Sequence, residues 1–302
     1  MALLLGLLAH EYRVVIAHVN HGLRGDESDA DENFVIESAR QLNLPVATRR
    51  VQIALTNGIA PENAAREARY TALTRIAREH GCAQIATGHT ATDTLETVLM
   101  QMVRGASVTG LAGIPRRREL EPGLEVVRPL WQSSREAARR ALEIAGWKWR
   151  EDSSNASAMY LRNRVRAEVL PNLATLCGDG ERLARQTARA ASLLRDDLEF
   201  LDDAAREALA TLILREEAAL LTFDADGFRA LPTALQRRVL REAARKIGGE
   251  RAVGGYEQIE TARRHIAAQS RRTVWCWSGD LRVEWTGAMA GNRVRVWRVE
   301  KR

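Results

Sequence analysis

Between Arg13 and Val103, short β-rich runs alternate with stretches of helical spacing, and no other feature constrains the fold as much. Arg13 to Val19 (RVVIAHV) predicts a strand, and residues 27–43 carry helical spacing that ends before Pro45. Val46 to Ile53 is a weaker strand. Pro61 stands in the favoured first-turn position of a helix that runs to His80 and stops at Gly81. Cys82 to Thr87 (CAQIAT) predicts a third strand, followed by Gly88-His89 and a helix from Thr92 to Val103. Such alternation builds βαβ units, so an α/β domain with a Rossmann-like parallel sheet is expected. Ligands of these sheets bind beyond the carboxyl ends of the strands. Two polar clusters fall there, His18–Gly25 and Gly88–Glu96.

The remainder reads differently. Residues 105–125 are expected to be a loop rich in Gly, Pro and Arg, with Arg116-Arg117-Arg118 inside it. Residues 126–172 predict a short strand, a helix from Ser133 and a basic helix near Arg162. Gly180 to Glu217 is a long charged helical stretch, 224–268 reads as two or three helices, and Thr273 to Val299 as three short strands. The expected division is an α/β domain over 1–178, a helical connector over 179–217 and a mainly helical α+β domain over 218–302. Met1 to Ala9 (MALLLGLLA) is too short to span a bilayer, which needs roughly 20 apolar residues, and lacks the basic start of a signal peptide. A run this uniformly apolar predicts a buried helix covered on more than one side. With no strand before it, the chain is expected to begin inside a fold.

Composition narrows the partners. The 302 residues carry 45 basic and 39 acidic side chains, a net charge of +6, unevenly placed. Residues 1–125 hold 13 basic and 15 acidic groups (−2), and residues 126–302 hold the other 32 and 24 (+8). A basic second half suits a polyanion such as RNA, although an arginine-rich coding bias would produce the same excess. Cys82, Cys177 and Cys276 form no CxxC pair, which argues against a disulfide framework or a cysteine-held metal and favours the cytoplasm. No membrane partner is expected, and a homodimer is left open.

Four clusters carry candidate chemistry. In His18-Val19-Asn20-His21-Gly22-Leu23-Arg24-Gly25, a strand runs into a glycine-bounded turn whose imidazoles and amide suit a nucleotide. Arg66 and Arg69 share a helix face with Tyr70, and guanidinium forks suit phosphate, though pairing with Glu62 and Glu67 would explain them equally. Next, Gly88 allows close backbone approach, and His89, Asp93 and Glu96 converge at a helix start. The acidic pair suits magnesium or a cationic substrate; the alternative is that Asp93 serves only the helix dipole. The fourth runs from Glu151-Asp152-Ser153-Ser154-Asn155 to Tyr160-Leu161-Arg162-Asn163-Arg164-Val165-Arg166, with arginines two apart that point in several directions. That pattern suits a phosphate backbone or a junction of ion pairs. Trp147 and Trp149 nearby could stack on bases.

Together these segments resemble the tRNA(Ile)-lysidine synthetases of the N-type ATP pyrophosphatase (PP-loop) group. The resemblance is carried in order by HVNHGLRG (18–25), NAAREARYTAL (63–73), ATGHTATDTLETVLMQMVRG (86–105), EDSSN (151–155) and YLRNRVRAEVLPNL (160–173). Residues 224–268 look like the family's C-terminal substrate-binding region, so the likeness covers most of the chain. It implies a carbon–nitrogen ligase that joins free lysine to C2 of the wobble cytidine of a CAU-anticodon tRNA(Ile), with ATP and Mg²⁺. ATP adenylates the base oxygen and releases pyrophosphate, and the lysine amine then displaces AMP. The matching positions make His89, Asp93, Glu96 and Arg69 catalytic candidates, with Asp93 holding Mg²⁺. His18, Asn20, His21 and Gly88 would bind ATP, and Arg66, Arg162, Arg164 and Arg166 the tRNA.

Two departures qualify the resemblance. Thr92 stands where the family's GHxxDDxxET pattern has its first aspartate. The family's ATP loop, SGGxDS, would lead directly into the apolar helix at which this sequence starts. A sheet truncated at its N-terminus, with weak ATP binding by residues 1–302, is therefore expected. The competing readings are a non-catalytic tRNA-binding relative and a PP-loop tRNA sulfur transferase, the latter disfavoured by the scattered cysteines.

Overall fold

The computed structural model of the chain describes residues 1–22, 25–53, 62–105, 107–150, 161–270, 273–278, 280–287 and 291–299. They form two compact units, 1–193 and 194–302.

The first unit opens with helix α1 (Ala2–Ala9), then β1 (Ile16–Asn20), α2 (Asp26–Gln41), β2 (Val46–Arg50), α3 (Glu62–Glu79), β3 (Gln84–Ala86) and α4 (Ala91–Val103). The expected strand–helix alternation is thus present, with strands shorter than the apolar runs. β1 and β2 pair in parallel from Ile16↔Val46 to Asn20↔Arg50. β3 pairs in parallel with β5 (Leu124–Val127), which in turn pairs antiparallel with β4 (Arg117–Glu121).

Three expectations are corrected here. The parallel sheet is present as two separate sheets, β1-β2 and β3-β5-β4, with β4 antiparallel. The reason for the latter is local: Pro122-Gly123 turns the chain within two residues, with Gly123 at φ +79°, and so short a connection joins only antiparallel strands. Arg117 and Arg118 consequently lie in a strand rather than a loop. Helix α1 forms as expected, but none of its residues is fully buried.

A short helix α5 (Val108–Leu111) precedes the β4–β5 hairpin, and α6 (Arg135–Ile144) follows it. Residues 161–177 are one helical stretch: α7 (Leu161–Arg164), a wide π turn over Val165–Val169 and α8 (Leu170–Cys177). Pro171 accounts for the widening, because its ring crowds the carbonyl four residues earlier, at Ala167, and it has no N–H to donate. Helix α9 (Gly180–Leu212) begins in this unit, where Ala184 and Ala188 pack on Ala91 and Leu95 of α4. That packing buries the face of α4 opposite its charged residues.

The second unit is an α+β fold. Its antiparallel sheet runs β6-β7-β10-β9-β8: β6 (Ile213–Glu217), β7 (Leu220–Asp224), β8 (Thr273–Cys276), β9 (Leu281–Trp285) and β10 (Arg293–Arg298). Helices α10 (Ala225–Ala230), α11 (Thr233–Gly248) and α12 (Tyr256–Ala267) supply the rest. Alternation decides the buried face: Leu281, Val283 and Trp285 of β9 and Val294 and Val296 of β10 join Leu221, Phe223 and Phe228 in one core. The β6–β7 hairpin is absent from the sequence reading, because its strand Ile213–Glu217 continues the charged pattern of α9 and its turn, Ala218-Ala219, carries no Gly or Pro.

Candidate functional site

At the carboxyl end of β1, Asn20 is 2% exposed and ties the strand to the start of α2. Its Nδ2 donates to Glu32 Oε2 at 2.8 Å and Asp29 Oδ1 at 3.1 Å, while its Oδ1 accepts from the Gly22 N–H at 2.8 Å. This amide, expected to bind nucleotide, is thus engaged in shaping the turn. The two imidazoles beside it are less committed. His18 Nε2 and His21 Nδ1 are buried and have no hydrogen-bond partner among the described residues. Arg69 reaches across from α3 and donates from Nε to His21 Nε2 at 3.3 Å. Burial lowers the pKa of both histidines; Arg69 and then His18 lower that of His21 further. Neutral imidazoles with an orphaned buried nitrogen are a natural place for a polar ligand.

The second cluster follows β3. Gly88 is exposed, and His89 Nδ1 lies 2.9 Å from Thr87 Oγ1. Thr90 and Asp93 form a reciprocal capping box at the start of α4, with Asp93 Oδ2 accepting from both the Thr90 N–H and its hydroxyl at 2.8 Å. Asp93 Oδ1 accepts from Arg135 Nη2 at 2.9 Å. One turn on, Glu96 is 0% exposed and receives a forked pair from Arg166, Nε at 2.6 Å and Nη2 at 2.9 Å. Arg135 Nη1 stands 3.2 Å and Arg162 Nε 3.7 Å from the same carboxylate. Arg164, between them in sequence, points elsewhere and pairs with Glu168 at 3.4 Å.

Two carboxylates thus face three guanidinium groups. Burial by itself would raise the Asp93 carboxyl, but Arg135 and the Thr90 donors outweigh it and hold it below the usual aspartate value. His89 is driven down to about 4 by burial and then by Arg128, with Arg66 and Arg162 adding and Asp93 opposing. The imidazole is therefore neutral at physiological pH.

All four carboxylate oxygens of Asp93 and Glu96 face N–H or O–H donors in this arrangement. No group of three or more His, Cys, Asp or Glu able to hold a metal exists among the described residues. Arg166, expected to face tRNA, here spends its fork on Glu96. Thr92 also finds a role: its buried Oγ1 accepts from the backbone N–H of Arg135 at 3.1 Å. Where the family has an aspartate, this chain uses a hydroxyl to anchor the segment that delivers Arg135.

Arg135 itself was missed in the sequence. It lies 42 residues beyond Asp93, outside every motif; the Thr92 hydroxyl and the Ser133 carbonyl, which accepts from the Ala91 N–H at 2.8 Å, bring its segment to α4. Helix α3 serves both clusters: Arg69 meets His21, whereas Arg66 lies over the Tyr70 ring, 5.2 Å from its centroid. Of the expected sites, Glu151–Asn155, Tyr160, Leu23 and Arg24 lie outside the described residues. The three cysteines are free thiols, Cys82 just before β3, Cys177 at the end of α8 and Cys276 in β8.

Comparison with known proteins agrees with this motif order. A PP-loop domain family model matches residues 1–173. A tRNA(Ile)-lysidine synthase from Salinispora tropica is 40% identical over 250 residues, which cover 80% of this chain and 72% of that protein. The chain belongs to the tRNA(Ile)-lysidine synthase family. Another member, from Symbiobacterium thermophilum, is 36% identical over 266 residues, 85% of this chain but 54% of the relative. The chain spans about half the length of several curated family members that it matches. Among solved structures, the U34-tRNA thiolase NcsA from Methanococcus maripaludis, determined with its [4Fe-4S] cluster, aligns with TM-score 0.50 at 17% identity. The match covers 64% of this chain and 68% of that one, a likeness of fold alone. No helix among the described residues is long and apolar enough to cross a membrane.

Proposed function

We propose that the chain carries the catalytic chemistry of a lysidine synthase, the ATP-dependent joining of free lysine to C2 of the wobble cytidine of a CAU-anticodon tRNA(Ile). The observation that carries this reading is the union of two motifs far apart in sequence. Arg162 and Arg166 of the RNRVR segment close on Glu96 of the GHTATDTLET segment, and those two segments together separate this family from general ATPases.

The residues divide by chemistry. Adenylation of the cytidine O2 places negative charge on the α-phosphate as pyrophosphate leaves, and guanidinium groups stabilise it. Arg69 beside His21 is the candidate for this at the end of β1, with the orphaned nitrogens of His18 and His21 available to ATP. In the second step the lysine amine attacks C2 and AMP departs. Among the described residues, Asp93 and Glu96 form the anionic pole of the cluster, suited to receive an ammonium group in place of one guanidinium fork. His89, neutral, offers a hydrogen bond without adding to the surrounding positive charge. Arg164, exposed and paired only by a helix-surface contact with Glu168, is the RNRVR arginine most available to tRNA. No step is routed through a metal.

The test is transfer of labelled lysine from solution to an unmodified CAU-anticodon tRNA(Ile) transcript, dependent on ATP. Label in the tRNA is the expected outcome. tRNA binding without transfer would replace this reading with that of a non-catalytic binding relative.

A further inference from the structure

Many arginines of the first unit are neutralised locally, as with Arg78 and Glu121, Arg140 and Glu181, or Arg150 and Asp31. Four that lie together are not. Arg66 on α3, Arg116 and Arg118 at β4 and Arg128 after β5 have no carboxylate partner among the described residues. Arg66 and Arg118 both lie over the ring of Tyr70, at 5.2 and 4.9 Å, and Arg116 lies over Trp131 at 4.2 Å. Arg128 is 3% exposed; it donates to the Pro115 carbonyl at 2.5 Å and the Tyr70 hydroxyl at 3.4 Å, and its Nε has no partner.

Strand geometry makes this one face. Arg116 immediately precedes β4, and Arg118 within it leaves one side of the sheet. Arg117 leaves the opposite side and pairs with Glu125 at 3.6 Å. Arg118 stands across from Val126 in the register, and the Arg128 N–H donates to the Arg116 carbonyl at 3.0 Å. Arg66, Arg118 and Arg128 meet at Tyr70 with no carboxylate partner among the described residues, and burial, opposed by the Tyr70 hydroxyl and reinforced by Arg66 and Arg118, weakens the hold of Arg128 on its proton. Resting a guanidinium on an aromatic ring fixes its orientation and leaves its N–H edges free for an anion.

The shape of the patch favours a polymer. Its donors come from a helix, a strand and the segments flanking that strand rather than from one pocket, and guanidinium groups can also stack on bases. A hollow of about 490 Å³ lies beside Tyr70, between Arg66 and Arg118, with the carboxylates of Glu67 and Glu121 also at its wall, the latter paired with Arg78. Arg66 and Arg128 also act on His89, so the patch reaches the second cluster. We infer that the face formed by Arg66, Arg116, Arg118 and Arg128 over Tyr70 and Trp131 holds the phosphodiester backbone of the RNA substrate next to the nucleotide being modified. This inference rests on the tRNA reading above and extends it to Arg116, Arg118 and Arg128.

The test is fluorescence anisotropy of the CAU-anticodon transcript at several potassium chloride concentrations. The unaltered chain is compared with Arg116→Gln/Arg118→Gln, Arg116→Lys/Arg118→Lys and Arg117→Gln. The glutamine pair should lower the slope of log affinity against log salt by about 1.5, the loss of two phosphate contacts at roughly 0.7–0.9 each. The lysine pair should keep the original slope, since it preserves charge, and Arg117→Gln should change it little. An unchanged slope in the glutamine pair, or an equal fall in the Arg117 variant, overturns this inference and leaves the tRNA reading intact. If the unaltered chain binds no tRNA at low salt, both fall. A slope lost in both double variants identifies a structural role and also overturns it.

Discussion

Glu96 and Arg166, 70 residues apart in sequence, form a forked ion pair with Glu96 wholly buried. The pair joins the start of α4 to the π turn that Pro171 opens at Val165–Val169. Buried charge is tolerated there because both oxygens of Glu96 are met, and Arg135 and Arg162 contribute further positive charge.

Removing that carboxylate leaves three guanidinium groups facing only Asp93. Glu96→Gln should destabilise the first unit by about 3 kcal/mol, the lower end for breaking one side of a buried pair. Hydrogen exchange of the α4 amides is the measurement, because it isolates this unit from the second. Protection equal to that of the unaltered protein would contradict the placement of Glu96.

Arg135 offers a sharper test of the site, since no motif contains it. Arg135→Lys keeps the charge but cannot span Asp93 and Glu96 with one planar fork. Loss of one charge-assisted hydrogen bond is worth about 1.5–3 kcal/mol. Lysine transfer should therefore fall roughly 10- to 100-fold, with tRNA affinity within about twofold of the original. A variant that transfers lysine normally would show that the bridge is dispensable.

His89 links the site to pH. Its pKa falls to about 4 in the folded state from an ordinary 6.5, so the unfolded chain binds the proton more readily. No penalty exists above pH 6.5; stability is lost as pH falls from there toward 4, reaching up to about 3 kcal/mol and then levelling off. His18 and His21 act in the same direction. Denaturation at pH 7, 5.5 and 4.5 should show His89→Gln losing less stability over this range than the unaltered chain. Parallel curves would exclude a depressed His89.

The second unit has its own buried charge. Glu260 on α12 accepts from Arg237 at 2.8 Å, Arg263 at 2.7 and 3.0 Å and Arg264 at 3.0 Å. Hydrogen bonds from Arg263 and then Arg237 hold its carboxyl far below the usual value, so its contribution persists through mildly acidic pH. Glu260→Ala should cost this unit about 3 kcal/mol, read as a lower urea midpoint in hydrogen exchange of the α12 amides. Transfer chemistry measured below that midpoint should be unchanged.

Local pattern was enough for the elements whose information is local. The βα alternation and the helix stop at Gly81 follow from residues within a few positions of one another, and they were legible. So was the pairing of Asp93 with Glu96, because three residues on one helix place both carboxylates on one face. The β6–β7 hairpin was not legible, since Ile213–Glu217 continues the charged pattern of α9 and the turn carries no Gly or Pro, while β7's other partner, β10, lies some 70 residues on.

Sequence alone determined the family, the order of its motifs and the carboxylates of α4, because each is written in contiguous residues. Tertiary structure alone decided what those carboxylates do. It delivered Arg135 through Thr92 and the Ser133 carbonyl, turned Arg166 onto Glu96 rather than outward, and gathered Arg66, Arg116, Arg118 and Arg128 on one face. A charge acts through distance in space, and spacing along the chain does not fix that distance beyond a single element.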